Sequence, residues 1–255
     1  MLAAPFYLLL FTRGAYAWTS LQTHLFMWTP AIAGLLTSLI VRRKVVGFGF
    51  RLGRLRHYLI SYLVPILFCL PVYLFTWATH LGEFRGLISF RRFPIPAGVP
   101  GFLILLLVAW VAAPLGLIDT LGEEIGWSGL LTPRLIEITT FTRASSIRGI
   151  IWSVWHYPLV IVLLPRFRRD LPVWYALGCM TISITAIAFI YTWLRIRSGS
   201  LWPCALLHAV SSNTQDVFEA VTKSTGPTHY ITYEYGIGFA IVLSILAFIV
   251  WKKTA

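Results

Sequence analysis

Two adjacent carboxylates, Glu123 and Glu124, lie within an apolar run from Phe102 to Leu131. An ionisable side chain inside a membrane span costs about 2.5–3.5 kcal/mol on insertion scales, so the pair needs a partner, a water-filled cavity or a change of protonation. His156 and His208 are each set in a later apolar run, with Trp152 four residues before the former. A desolvated carboxylate can act as a general base near neutral pH. Donors fixed in a low-dielectric cavity stabilise developing negative charge. Glu123, His156 and His208 could also hold Zn²⁺ with an open water position, although the sequence has no His-Glu-x-x-His helix. Asp119 lies one turn before Glu123 and is expected to share its face, solvating or orienting the cluster.

The elements that carry these groups follow from composition. The chain is 58% hydrophobic with 12% charged residues and a mean hydropathy of +0.77, which places it among membrane proteins rather than ordinary soluble domains. Nine acidic residues against twenty-one Lys and Arg give a formal charge of +12. The basic residues fall between apolar runs, as anchoring against anionic lipid requires, and no nucleic-acid partner is expected. Cys69, Cys179 and Cys204 lie inside apolar runs without paired spacing, which argues against disulfides and a Cys-rich zinc site.

Read in order, apolar spans are expected near residues 3–19, 25–41, 57–79, 101–131, 147–164, 172–194, 200–221 and 230–251. Pro65 and Pro71 should kink the third, residues 82–100 form a Pro-interrupted loop, and Pro133 should close the fourth. The fold expected is an all-α, polytopic membrane bundle of about eight transmembrane helices in one domain, residues 1–255. If the Arg42–Arg56 connection is cytoplasmic, thirteen of the twenty-one Lys and Arg fall on that side. That places both termini in the cytoplasm.

On this layout Glu123 and Glu124 precede the end of span four near Leu131 by eight and seven residues. His156 follows the start of span five by nine, and His208 follows the start of span seven by eight. At about 1.5 Å per residue, all four lie roughly 10–14 Å inside one boundary. They should converge on one cavity open toward the cytoplasmic side. His24, His57, His80 and His229 fall at span ends or in connections.

The segments Glu123-Glu-Ile-Gly-Trp-Ser-Gly-Leu130, Trp152-Ser-Val-Trp-His-Tyr-Pro158 and Ser200-Leu-Trp-Pro-Cys-Ala-Leu-Leu-His-Ala209 resemble the motifs of the CPBP (Abi) family of intramembrane endopeptidases, the CAAX prenyl protease and bacteriocin-processing type. Their order and separation fit as well. The resemblance covers about Val46 to Phe218, with a family-like core about 101–221. It implies hydrolysis of a peptide bond in a membrane-associated substrate, a prenylated CAAX-type tail or a small peptide. Glu123 with His156 would activate water, His208 with an asparagine would stabilise the oxyanion, and Glu124 would orient Glu123 or its neighbours. A metal, with Zn²⁺ the candidate, would sit on Glu123, His156 and His208. The compact chain fits a prokaryotic plasma-membrane enzyme.

Three positions depart from that pattern. Ser128 stands where Glu-Glu-x-x-x-Arg has arginine, so a basic or donor group near Glu124 is expected from Arg134 or Arg148. Trp152 replaces the usual phenylalanine. In His-x-x-x-Asn the fourth position is Ser212 and asparagine arrives at Asn213, about 100° further round a helix. Ser212 or Asn213 is expected to supply the donor beside His208. Two other classes use the same residues: a proton-coupled carrier, and a non-catalytic scaffold or immunity-type protein of the same fold.

Overall fold

The computed structural model describes residues 2–13, 20–85, 89–90, 93–94 and 98–254. Helices α1 (Ala4–Arg13), α2 (Ser20–Met27), α3 (Thr29–Arg42) and α4 (Leu55–Ala78) come first. The expected first span therefore has only a ten-residue described helix, and its residues 14–19 lie outside the described ones. Helix α4 runs unbroken through Pro65 and Pro71, because neighbouring elements in a membrane bundle can serve the backbone groups a proline frees.

The connection expected to be plain loop contains short strands. Strand β1 (Gly82–Phe84) pairs antiparallel with the later β4 (Thr222–Ser224), and β2 (Ser89–Phe90) with β3 (Phe93–Pro94). The fourth span then runs from Val99 to Ile138, forty residues. It comprises α5 (Val99–Ala112), a 3₁₀ turn at Ala113–Gly116 around Pro114, α6 (Leu117–Glu124), a π-helical turn at Ile125–Leu131, and α7 (Thr132–Ile138). Pro133 does not end it. In the π turn the Thr132 N–H reaches back five residues to the Trp127 carbonyl. By the same pattern Pro133, which has no N–H, is the residue that leaves the Ser128 carbonyl free. Arg195 Nε donates to that carbonyl at 2.8 Å.

The remaining helices are α8 (Phe141–Phe167), α9 (Val173–Ser198), α10 (Trp202–Ala220), the short α11 (Thr228–Ile231) and α12 (Ile237–Lys252). Among the described residues, five helices are long and apolar enough to cross a membrane, and α12 is a shorter apolar one. Helix α10 is not among them. It carries His208, Gln215 and Asp216 and packs against α4, α5 and α6, which makes it the polar, inner helix of the bundle. Helix α8 lies along α9, and α9 along α12. Around them forms the main core, with Phe68, Tyr73, Met180, Tyr191 and Phe218 at its centre. The π turn can sit against α3 because residue 126 is glycine: a Cβ there would come within 2.6 Å of the Pro30 carbonyl oxygen.

Candidate active site

Helix α6 delivers Glu123 and Glu124 to the bundle interior, at 2% and 0% exposure. The π turn after it swings donors back onto them. Trp127 Nε1 donates to Glu123 Oε2 at 3.3 Å, and the Ser128 hydroxyl donates to Glu124 Oε2. From α8, Trp152 Nε1 donates to the same Glu123 oxygen at 2.7 Å. Two indoles thus hold one oxygen of Glu123, and among the described residues no bond engages Oε1.

Glu124 has a different environment. Arg148 on α8, itself fully buried, donates to its Oε2 at 3.0 Å and to its Oε1 at 3.4 Å. His208 Nδ1 donates to Oε1 at 3.2 Å. The guanidinium carbon of Arg148 also lies 4.4 Å from the Tyr191 ring centroid and 5.3 Å from that of Trp152. A buried carboxylate needs such a counter-charge and full hydrogen bonding. Arg148 is therefore the cation that the Ser128 position called for. Arg134, the other candidate, pairs with Glu137 at 2.5 Å.

His156 joins through Trp152. Its Nδ1 donates to the Trp152 carbonyl at 3.0 Å, which fixes the tautomer with Nε2 as the acceptor when the ring is neutral. The Trp152 ring lies 5.3 Å from His208 and 6.2 Å from His156, centroid to centroid. Trp152, His156, His208 and Ser212 line one cavity of about 80 Å³. A water needs on the order of 10–15 Å³ of such space, so several fit.

The same cavity has further polar lining beside apolar Phe68, Ile184 and Phe239. Ser183, Ser211, Gln215 and Glu234 line it. The Ser183 and Ser211 hydroxyls and Gln215 Oε1 are buried without a protein partner among the described residues, as expected of groups that bond water. Gln215 lies one turn before Glu219, which pairs with Arg168. None of these four was singled out from sequence. Gln215 follows His208 by seven residues, two helical turns, and that spacing was the available signal.

Two expected neighbours are elsewhere. Asp119 does not reach the cluster; it pairs with His24 at 2.5 Å, because a turn of α6 carries its side chain toward α2. Asn213 Nδ2 donates to the Ala109 carbonyl on α5 at 2.8 Å, one residue round the helix from the cavity. Ser212 is at the cavity, and its hydroxyl donates to the His208 carbonyl at 3.3 Å. Among the described residues no three His, Cys, Asp or Glu side chains are placed to hold a metal ion. The Nδ1 atoms of His156 and His208 already serve a carbonyl and Glu124, and Glu123 Oε2 serves two indoles. Those bonds leave both Nε2 atoms and Glu123 Oε1 uncommitted, but the expected Glu123, His156 and His208 set is not gathered round one point, and no step is routed through a metal.

Residues 99–213 match the family model for Rce1-like type II CAAX prenyl endopeptidases, a stretch that holds Glu123, Glu124, Trp152, His156, His208, Ser212 and Asn213. The CAAX prenyl protease 2 of Methanococcus maripaludis is 26% identical over 129 residues, covering 49% of this chain and 45% of that protein. The chain thus matches somewhat less than half the length of that relative.

Proposed function

Since the chain belongs to the Rce1-like type II CAAX prenyl endopeptidase (CPBP) family, we propose that it is an intramembrane endopeptidase that hydrolyses a peptide bond near the end of a membrane-associated substrate. The supporting observation is the single cavity wall of Trp152, His156 and His208, tied at 2.7 Å to Glu123. Glu123, through its unengaged oxygen, takes a proton from a cavity water as the water oxygen attacks the scissile carbonyl carbon. His156 presents Nε2 to the same water and aligns it. The carbonyl oxygen becomes an oxyanion that accepts from Nε2–H of His208, whose ring acts as the imidazolium and donates Nδ1–H to Glu124. When the C–N bond breaks, the proton held by Glu123 passes to the departing amine, so acid and base work balance in one cycle. Arg148 and Ser128 act on this chemistry only through Glu124, as positioning residues.

The substrate expected is a prenylated CAAX-type tail or a small peptide, and the site of action a prokaryotic plasma membrane. The test is cleavage of prenylated and unprenylated CAAX-type peptides by the full chain in neutral detergent, beside Glu123→Gln and His156→Ala. Cleavage by the parent and by neither variant supports the reading. Peptide binding with no turnover in any of the three would instead identify a scaffold, and proton uptake without cleavage a carrier.

A further inference from the structure

We infer that the pocket between the Val45–Arg51 segment and Arg195 binds the phosphate of an anionic lipid headgroup, and that its occupancy braces the π turn beneath the two glutamates. The pocket measures about 560 Å³ and is lined by Gly47, Gly49, Phe50, Arg51, Arg195 and Gly199, among others. Gly47 and Gly49 have φ of +83° and +78°, a conformation that favours glycine. Their bare backbone admits guanidinium groups at close range: a Cβ on Gly49 would meet Arg195 Nη2 at 2.6 Å, and one on Gly47 would meet Arg134 Nη2 at 3.2 Å.

This end of the molecule has an excess of cations. Among the described residues its carboxylate is Glu137, which Arg134 and Arg42 already share at 2.5 and 3.8 Å. Arg51 and Arg195 have no carboxylate partner among the described residues, and Arg43, Lys44, Arg54 and Arg56 add charge on the same connection. Arg195 spends Nε on the Ser128 carbonyl and Nη2 on the Gly47 carbonyl, at 2.8 and 3.0 Å, which leaves Nη1 for a ligand. Around these cations Val45, Phe50, Leu52 and Leu55 are exposed, at 42%, 48%, 70% and 74%. Arginines framed by exposed apolar side chains match the headgroup boundary of a bilayer better than a free anion in water. Because the guanidinium that would grip the phosphate also holds Ser128, whose hydroxyl binds Glu124, an anion there tightens the π turn.

The experiment uses the full chain in neutral detergent with added phosphatidylglycerol, phosphatidylcholine or inorganic phosphate. Bound lipid is read by native mass spectrometry and the unfolding midpoint by a thermal melt, neither of which depends on catalysis. Phosphatidylglycerol should be retained and raise the midpoint by a few degrees, and phosphatidylcholine should do neither. Arg51→Gln should weaken phosphatidylglycerol retention about fivefold, the contribution of one cation near a charged surface. Arg195→Lys keeps the charge but not the fork, so it should retain lipid without the rise in midpoint; if it fails to fold, Arg51→Gln still decides. Equal retention of the two lipids, or equal phosphatidylglycerol retention by parent and Arg51→Gln, overturns the site. Displacement of the lipid by millimolar inorganic phosphate overturns the lipid assignment.

Discussion

Arg148 meets Glu124 at 3.0 Å, and Arg168 meets Glu219 at 3.0 Å; each guanidinium also lies over a tyrosine, Tyr191 at 4.4 Å and Tyr233 at 5.2 Å. The chemistry of the two pairs is the same and their surroundings are not. Arg148 and Glu124 are both 0% exposed, whereas Arg168 and Glu219 are 10% and 25% exposed. Glu219 spends its other oxygen on the Tyr73 hydroxyl at 3.0 Å, which staples the ends of α8 and α10 to α4. Glu124 spends its other oxygen on His208. On the proposed function, an identical ion pair is architecture where its spare acceptor goes to a core tyrosine and site support where it goes to a cavity histidine.

The largest expected effect tests that contrast through activity. Glu123→Gln should lower peptide cleavage by about 10²–10⁴, the usual weight of a general base, while Glu219→Gln at the far pair should leave kcat close to that of the parent. A Glu219→Gln enzyme as impaired in kcat as Glu123→Gln would mean that the far pair takes part in the chemistry and that the two pairs do not differ in role.

Stability supplies the next test. Arg148→Ala leaves Glu124 charged, buried and without its cation, and should cost about 3–5 kcal/mol. Arg168→Ala, at a partly hydrated pair, should cost about 1 kcal/mol. Thermal unfolding in one detergent measures both. The double variant Arg148→Met with Glu124→Gln removes both charges and should regain most of the lost stability without regaining activity. That would separate the fold's need for neutrality from the site's need for Glu124.

A smaller effect sharpens the role of Ser128. The family pattern invites Ser128→Arg, but Arg148 already occupies that charge position. A second guanidinium there should destabilise the parent by about 2 kcal/mol, within the range for burying an ill-paired charge. Combined with Arg148→Ser it should be tolerated, with kcat within about tenfold of the parent. If Ser128→Arg alone raises both the unfolding midpoint and the rate, Arg148 is not the substitute for the missing arginine.

The candidate site stood out in the sequence through cost. Carboxylates and histidines in apolar runs are expensive wherever they occur, so Glu123, Glu124, His156 and His208 could be picked out, and one shared depth grouped them. Arg148 was legible only as one of two cations on the right side, because α8 and α9 had to be paired before Gly149 and Thr185 could be seen to touch. Glu234 was not legible, since it lies beyond the motifs in the turn before α12. Residue counting places a side chain along a helix axis but says nothing of which way a cavity runs. The π turn escaped for a related reason. Pro133 reads as a stop in four-residue periodicity, and only the five-residue pattern, capped by Arg195 from α9, carries the helix past it.

Helix phase decides the smallest effect, at Ser212 and Asn213. Ser212 lies on the cavity with His156 and His208, whereas Asn213 is bonded to Ala109 on α5. Asn213→Ala removes one donor from a partly buried amide–carbonyl bond and should cost about 0.5–1.5 kcal/mol with kcat unchanged. Ser212→Ala should do the reverse, leaving the melt within error and lowering kcat by no more than about tenfold, less than the 10²–10³ typical of a dedicated oxyanion donor, because its hydroxyl is partly committed to the His208 carbonyl. Ser212→Asn places a longer donor at the same phase and should hold kcat at the parent level or raise it. KM and kcat measured separately for the three variants, beside their melts, discriminate the two positions. A fall in kcat for Asn213→Ala without a change in melting would place the asparagine at the reacting atoms, and α10 would then have to rotate or bulge by one residue when substrate enters.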